Sequence, residues 1–323
     1  MLNDALTTIN EKNYPLCVVI EGPTASGKSD VAQQVALQLN GEVISADSMQ
    51  VYKGMDIGTA KLTKSQRLVP HHLIDILDPG EPFSAQIFQT LGRNTIKEIG
   101  SRDCVPILCG GTGLYVQAVL EDMQFPKGDQ EHNPIREHYE KVAQEKGNEA
   151  VWNILKEKDP ISASLIHVNN VRRVIRALEM YHQGISYADQ VKNIKYLPEI
   201  VPSLRFGLQR DPKKLAERIN VRVDAMVKQG LVQEVKHLLN AGFRSALTAP
   251  QAIGYKEIVS YLDGSSSLEE AIESIKTATR RYAKRQRTWL RRDLRITMLD
   301  ADSLTLDQIV SIIVNSYMET RTI

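Results

Sequence analysis

The chain has 323 residues, and its 40 lysines and arginines nearly balance 39 aspartates and glutamates, which gives a formal net charge of +1. Hydrophobic residues make up 42% of the sequence and charged residues 24%, and this balance excludes a disordered chain or a fibre. The length exceeds what one hydrophobic core usually holds, so it predicts either two domains or one large domain with an insertion. The near-zero net charge gives no indication of a nucleic-acid partner.

The three cysteines, Cys17, Cys104 and Cys109, are widely spaced and form no Cys-x-x-Cys pair. They indicate neither a disulfide framework nor a zinc site, so we expect a cytoplasmic protein. Residues 1–15 are polar with mixed charges, and no later segment approaches the roughly 18 apolar residues of a membrane span. We therefore expect neither a signal peptide nor a membrane anchor.

The first third of the chain alternates strands with helices. Apolar runs predict strands at 16–20, 42–45 and 105–109, and helical spacing predicts helices at 30–39 and 84–99. This alternation is typical of an α/β fold with a doubly wound parallel sheet, in which ligands bind beyond the carboxyl ends of the strands.

After about residue 122 the pattern changes to helices without strands. Residues 125–129 form a predicted linker, and Asn133-Pro134 and Asp159-Pro160 each place a capping side chain before a proline that begins a helix. A further helix is predicted to open at Asn170 and to close at Gly184.

The alternating pattern returns with a predicted strand at 204–208, helices from Asp211-Pro212 onward, and a late strand at 295–299. The sheet domain is therefore expected to be discontinuous in sequence. The predicted domains are a core of residues 1–122 and 199–323 and a helical insertion of residues 123–198.

One glycine-rich loop between the first strand and the first helix matches the pattern Gly-x-x-x-x-Gly-Lys-Ser/Thr of P-loop proteins. The glycines let backbone N–H groups converge on phosphate oxygens at the positive end of the helix. Lys28 adds a charge, and Ser29 can ligate Mg²⁺. Neither neighbouring strand ends in the acidic pattern of ATPase motors, so the loop predicts a polyphosphate site without naming a reaction. The loop consists of Gly22, Pro23, Thr24, Ala25, Ser26, Gly27, Lys28 and Ser29.

Asp47 follows the second predicted strand and should therefore face the same crevice as this loop. Its position alone leaves three roles open, because a carboxylate there can act as a general base, ligate a metal or cap the next turn.

The stretch 44–61 that surrounds Asp47 resembles the signature of bacterial tRNA dimethylallyltransferases, which belong to the tRNA isopentenyltransferase family. The phosphate loop agrees with the same family, and all the matching stretches lie in family order between about residues 16 and 295. The further stretches are 71–75, 110–115, 176–179, 252–257 and 284–291.

The resemblance implies a P-loop-like core and transfer of a dimethylallyl group from its diphosphate to the N6 amine of the adenosine 3′ of the tRNA anticodon, position 37. It implies that the loop holds the diphosphate with Mg²⁺, that Asp47 is the general base, and that Lys28 and Thr112 act at the reacting centre. Arg218 or Arg222 would contact the diphosphate, and the sequence leaves open which of them does so.

The segment 280–295 carries eight basic residues against the single acidic Asp293. On a helical wheel the cations share one face, while Tyr282, Ala283, Trp289, Leu290 and Leu294 fall on the other, which predicts a helix that presents cations to RNA phosphates. A second basic cluster lies in the insertion, which by resemblance grips the anticodon arm. The expected tRNA contacts are Asp47, Ser48, Met49, Gln50, Arg172, Arg173, Val174, Ile175, Arg176, Gln251, Ala252, Ile253, Gly254, Tyr255, Lys256, Arg280, Arg281, Lys284, Arg285 and Arg287.

Three alternatives remain open. A P-loop kinase of a small metabolite would use the phosphate loop but has no role for the basic segment. An adenylate isopentenyltransferase would share the loop and the base but needs no surface for RNA. An RNA-binding protein with a vestigial loop would not need Lys28, Ser29 and Asp47 intact. The expected partners are tRNA and dimethylallyl diphosphate, and we expect a monomer.

Overall fold

The computed structural model describes residues 14–125, 133–193, 197–240, 243–245 and 248–322. Six strands form one sheet with the order β3-β2-β4-β1-β5-β6, and every neighbouring pair is parallel. This confirms the predicted parallel α/β fold. The strands are β1 (Cys17–Glu21), β2 (Gly41–Ala46), β3 (His71–His72), β4 (Val105–Gly110), β5 (Ser203–Gln209) and β6 (Thr297–Asp300).

Helices cover both faces of the sheet, as the alternation of side chains in β1 shows. Val18 and Ile20 enter one hydrophobic cluster, and Cys17 and Val19 enter the other. All four side chains are fully buried, so β1 reads as a continuous apolar run because both of its faces are covered. The helices of this unit are α1 (Lys28–Leu39), α2 (Ala85–Gly100), α3 (Gly113–Leu120), α9 (Pro212–Lys228), α10 (Leu231–Asn240), α11 (Tyr255–Leu262), α12 (Leu268–Leu290) and α13 (Leu306–Thr322).

The chain separates into two compact units, one of residues 1–120 and 200–323 and one of residues 121–199. The smaller unit has a hydrophobic cluster of its own, built around Val151, Leu155 and Leu178. Apart from Phe125, the predicted linker at 125–129 lies outside the described residues. The helices of the smaller unit are α4 (Pro134–Lys146), α5 (Asn148–Lys158), α6 (Pro160–Leu165), α7 (Val171–His182) and α8 (Tyr187–Asn193).

The predicted helix starts are confirmed where a polar side chain caps the first turn. Asn133 accepts hydrogen bonds from the backbone of α4, Asp159 from that of α6 and Asp211 from that of α9. Asn170 also precedes α7, but its side chain makes no capping bond. In the described part of the chain, no helix is both long and apolar enough to cross a bilayer.

The late strand begins two residues after its predicted start, at Thr297 rather than Arg295. Asp293 explains the difference, because its carboxylate accepts hydrogen bonds from the backbone N–H and the guanidinium of Arg295. Arg205 of β5 donates to the same carboxylate at 2.8 Å. The segment between α12 and β6 is thus held as a turn.

Candidate active site

The phosphate loop connects β1 to α1 in a backbone conformation that two residues make possible. Gly27 has a φ of 100° directly before α1, a region that glycine enters without steric cost, and Ala25 also has a positive φ of 64°. At the other end, a Cβ on Gly22 would lie 2.6 Å from the Ser26 hydroxyl oxygen. Because the first N–H groups of α1 have no partner inside the helix, the loop offers donors to an anion.

Two arginines from neighbouring elements hold the carbonyl groups of the loop. Arg218 of α9 donates from Nε to the carbonyl of Ala25 at 2.9 Å, and Arg210 donates from Nε to that of Ser26 at 3.0 Å. Asp302 in turn accepts from Arg210 at 2.8 Å. Within the loop, the N–H groups of Thr24 and Ser26 are bonded to Gln286 and to the carbonyl of Pro23, so the N–H groups that the loop offers to a ligand are those at the start of α1.

Lys28 and Arg222 bring positive charge to the same place. Burial lowers the pKa of Lys28, while the carboxylate of Asp47 acts in the opposite direction. Burial also lowers the pKa of Arg222, again opposed by Asp47. Unlike Arg218, Arg222 has no hydrogen bond to any residue that the structure describes, so its guanidinium remains available to a ligand.

Asp47 and Thr112 lie side by side because β2 and β4 are neighbours in the sheet. The Thr112 hydroxyl accepts from the N–H of Ser48 at 3.4 Å, and one Asp47 oxygen accepts from the N–H of Met49 at 2.9 Å. A Cβ on Gly110 would lie 2.2 Å from the carbonyl oxygen of Ala46, so glycine is required where the two strand ends approach. The second Asp47 oxygen is not used by this turn.

The stretch after Asp47 is held by two charged groups, one buried and one partly buried. Lys61 is 8% exposed and donates to the carbonyl of Tyr52 and to Asp56 at 2.7 Å each, and also to Asp75. Glu234 of α10 accepts from three successive N–H groups, those of residues 56–58, at 2.7 to 3.2 Å. Lys61 therefore supports this stretch from within the protein and is not among the residues that line the cleft.

A cleft of about 840 Å³ runs along these elements. Its polar lining includes residues of the phosphate loop, Asp47, Ser48, Gln50 and Gln251. The cleft is also lined by apolar side chains, which suit a hydrocarbon group. These side chains are Met49, Ile74, Ile219, Val221, Met226, Ile253 and Ile275.

Three residues at this site were missed by sequence reasoning: Tyr282, Gln286 and Glu234. Tyr282 was assigned only to the packing face of α12, yet it lines the cleft. Burial and then the charge of Asp47 raise its pKa to about 12. Gln286 bridges the phosphate loop to the turn after β4. The only signal for it in the sequence was its place in the stretch 284–291.

The basic segment is a helix only up to Leu290, so the wheel drawn through residue 295 was wrong at its end. Leu294 is 97% exposed instead of packed, because it lies in the turn after α12. Arg281, Lys284 and Arg285 are exposed, as predicted for cations that meet phosphates. Arg287 is half-buried. Arg280 is engaged, because it donates to Asn220 at 2.6 Å.

In the insertion, Arg172 and Arg173 are exposed on α7. Arg176 donates to Glu179 at 3.0 Å. Val174 and Ile175, which were also predicted to contact RNA, are buried in the core of this unit.

Tyr255, another predicted RNA contact, is fully buried and donates its hydroxyl to Glu234 at 2.6 Å. Ala252 is also buried, but it lies on the wall of the cleft with Gln251, Ile253 and Gly254. Lys256 is exposed.

The residues at the loop fit Mg²⁺ only together with a phosphate ligand. Among the described residues there is no group of three or more His, Cys, Asp or Glu side chains that could hold a metal. Ser29 is exposed at the first turn of α1 and lines the cleft beside Asp30 and Asp47. Mg²⁺ commonly takes few protein ligands and completes its shell with phosphate oxygens and water.

Comparisons with known proteins agree with this geometry. Residues 50–293 match the family model described as IPP transferase. A protein of Carboxydothermus hydrogenoformans named tRNA dimethylallyltransferase is 48% identical over 300 residues, which cover 92% of this chain and 96% of that protein.

Two solved structures share the fold. A tRNA isopentenylpyrophosphate transferase of Staphylococcus epidermidis is 38% identical with a TM-score of 0.70, and the match covers 95% of this chain and 99% of that one. A eukaryotic dimethylallyltransferase acting on tRNA is 31% identical with a TM-score of 0.77, and the match covers 94% of this chain and 79% of that one.

Proposed function

This chain belongs to the IPP transferase family, and from that membership and the geometry of its cleft we propose that it is a tRNA dimethylallyltransferase. It transfers a dimethylallyl group from dimethylallyl diphosphate to the N6 amine of the adenosine 3′ of the anticodon, position 37, and releases diphosphate. The observation that carries the proposal is the placement of Asp47 in one cleft with the phosphate loop.

The donor would lie with its diphosphate on the loop and its hydrocarbon group along the apolar wall. Lys28, Arg222 and the N–H groups at the start of α1 supply the positive side of the cleft. Donors that are fixed in advance stabilise charge as it develops on a leaving group, and each is worth roughly 3 kcal/mol in comparable sites. The loop therefore serves as the site of a leaving group.

At the other end of the reacting bond, an adenine amine is a poor nucleophile because its lone pair is delocalised into the ring. Asp47 would accept a hydrogen bond from the N6 amine and then its proton, which contributes about 10²–10⁴-fold. One Asp47 oxygen is held by the N–H of Met49 at 2.9 Å, so the carboxylate is oriented before the base arrives. Thr112 supports the same turn through Ser48.

We propose that Mg²⁺ binds with the diphosphate and that Ser29 is its ligand from the protein. When bound, the ion supplies positive charge to the departing oxygens. The buried Ser26 hydroxyl has no hydrogen-bond partner among the described residues, which leaves a further polar group in the loop.

The tRNA would meet exposed cations on both units. Arg281, Lys284 and Arg285 of α12 lie outward, and Arg285 also lines the cleft and sits 5.5 Å from the Tyr282 ring. Arg172 and Arg173 are the exposed cations of the insertion. The target base must leave its stack to reach the cleft, at a cost of a few kcal/mol. We propose that the protein acts as a monomer in the cytoplasm, where no disulfide is expected and none joins its three cysteines.

The proposal is tested by incubating the protein with dimethylallyl diphosphate, Mg²⁺ and unmodified tRNA. The tRNA is then digested and analysed by mass spectrometry. We expect a mass increase of one dimethylallyl group on the adenosine 3′ of the anticodon, and none in a matched tRNA with guanosine there. Prenylation of free AMP without tRNA modification would favour the adenylate enzyme. Phosphoryl transfer from ATP to a small molecule would favour a kinase.

A further inference from the structure

The side-chain amide of Gln286 joins two parts of the site that are far apart in sequence. Its Oε1 accepts a hydrogen bond from the N–H of Thr24 in the phosphate loop at 2.9 Å. Its Nε2 donates to the carbonyl of Gly111, in the turn that carries Thr112, also at 2.9 Å. The Gln286 side chain is 7% exposed, so these bonds form away from bulk water.

We propose that Gln286 is a positioning residue, which holds the phosphate loop at a fixed distance from the turn that carries Thr112. The proposal rests on the proposed function only in taking the ligand of the loop to be a diphosphate. No contact between Gln286 and the substrate is required, because its two partners are backbone groups of the protein.

The glutamine side chain has both the length and the pair of polar groups that the two partners require. Thr24 offers a donor and Gly111 an acceptor, so the side chain must present one acceptor and one donor, which an amide does and an ionised carboxylate does not. Asparagine is one methylene shorter and cannot reach both. Glycine at 111 belongs to the same arrangement, because a Cβ there would lie 2.2 Å from the Gln286 nitrogen.

Tyr282, one turn earlier on α12, extends the connection. It lines the same cleft, and Thr112 and Gln286 lie close enough to its hydroxyl to oppose in part the burial and the charge of Asp47, which raise its pKa. The connection from Thr24 through Gln286 to Gly111 therefore runs from the diphosphate side to the turn that carries Thr112, on the side of the base. A displacement of about 1 Å between such groups can cost around 10²-fold in rate.

Isothermal titration of pyrophosphate against Gln286→Met and Gln286→Glu tests the proposal without tRNA. Methionine has a similar shape but leaves both backbone groups unpaired, and we expect its dissociation constant to rise by about tenfold or more at every pH. The Gln286→Glu variant should bind pyrophosphate equally weakly near pH 8. It should recover toward the wild-type value near pH 5, because a protonated carboxyl both donates and accepts.

Pyrophosphate itself gains protons as the pH falls, so each affinity is divided by that of the wild-type protein at the same pH to cancel this effect. Gln233→Met makes the same change at an exposed position on α10 and should leave the affinity unchanged. Thermal unfolding shows whether each variant is folded. If the methionine variant is not folded, the pH series of the glutamate variant tests the proposal alone.

Two results overturn the proposal. One is an affinity of Gln286→Met for pyrophosphate within twofold of the wild-type value. The other is a ratio of Gln286→Glu affinity to wild-type affinity that does not change with pH. A merely structural role would not produce recovery at low pH. If wild-type protein binds pyrophosphate as expected but modifies no tRNA, the proposed function fails and the role of Gln286 stands.

Discussion

Replacing Asp47 with asparagine removes the proton acceptor of the cleft and leaves the local structure in place. One Asp47 oxygen accepts from the N–H of Met49 at 2.9 Å, and the asparagine oxygen can accept the same bond. The loss should therefore come from proton transfer alone, which amounts to about 10²–10⁴-fold in rate, or roughly 3–5 kcal/mol in the barrier. Affinity for pyrophosphate should stay equal or increase, because Asp47 is an anion beside Lys28 and Arg222.

Single-turnover prenylation of tRNA with labelled dimethylallyl diphosphate measures the rate, and filter binding measures tRNA affinity. We expect tRNA affinity to change by no more than a few fold. Asp30→Asn is the matched control, because Asp30 is an exposed carboxylate that lines the same cleft. If Asp47→Asn retains more than about a tenth of the rate, or if Asp30→Asn loses as much, Asp47 is not the base.

Arg222→Ala should lower kcat/KM for dimethylallyl diphosphate by about 10²–10³-fold with tRNA affinity unchanged, and an unchanged kcat/KM would remove Arg222 from the diphosphate site. Combined Arg281→Gln and Lys284→Gln should weaken tRNA binding and reduce the slope of log affinity against log salt by about 2, while the KM for the prenyl donor stays constant. Glu234→Ala should lower the free energy of unfolding in urea by about 3 kcal/mol, because three N–H groups lose their acceptor. The same loss with Lys236→Ala, an exposed change on α10, would contradict this account.

The parts of the fold that could be predicted from the sequence are those in which the cause is local. The buried strand β1 is apolar from Cys17 to Ile20, and Asn133, Asp159 and Asp211 bond to backbone groups two or three residues ahead. The position of Asp47 beside the phosphate loop also followed from a general property of parallel sheets, since the carboxyl ends of all strands meet at one edge.

The residues that were missed act across long separations. Gln286 and Thr24 are 262 positions apart, and Glu234 lies 176 to 178 positions from the N–H groups it binds. No periodicity or capping pattern relates such pairs, because they meet only after the sheet has formed. Tyr282 was missed for a related reason, since a helical wheel separates apolar from charged faces but does not show that one face borders a cleft.

The stretch 44–61 shows why a family signature does not by itself identify the residues that contact a ligand. It contains Asp47, whose second oxygen is not used by the local turn, and also Lys61, which is nearly inaccessible to solvent and bonds to three partners within the protein. We propose that Asp47 contributes the chemistry, whereas Lys61 holds the backbone of the stretch in its conformation. Only the burial and partners of each side chain separate these roles.

The two faces of α12 connect the charge distribution to the site. The net charge of +1 conceals a helix with exposed cations at Arg281, Lys284 and Arg285. The inward face of the same helix carries Gln286, which bonds to the phosphate loop and to the turn that carries Thr112, and Tyr282, which lines the cleft. Because the exposed cations and the inward side chains belong to different faces of one helix, the two sets can be changed separately. Substitutions on the outer face should change affinity for tRNA, and those on the inner face should change affinity for diphosphate.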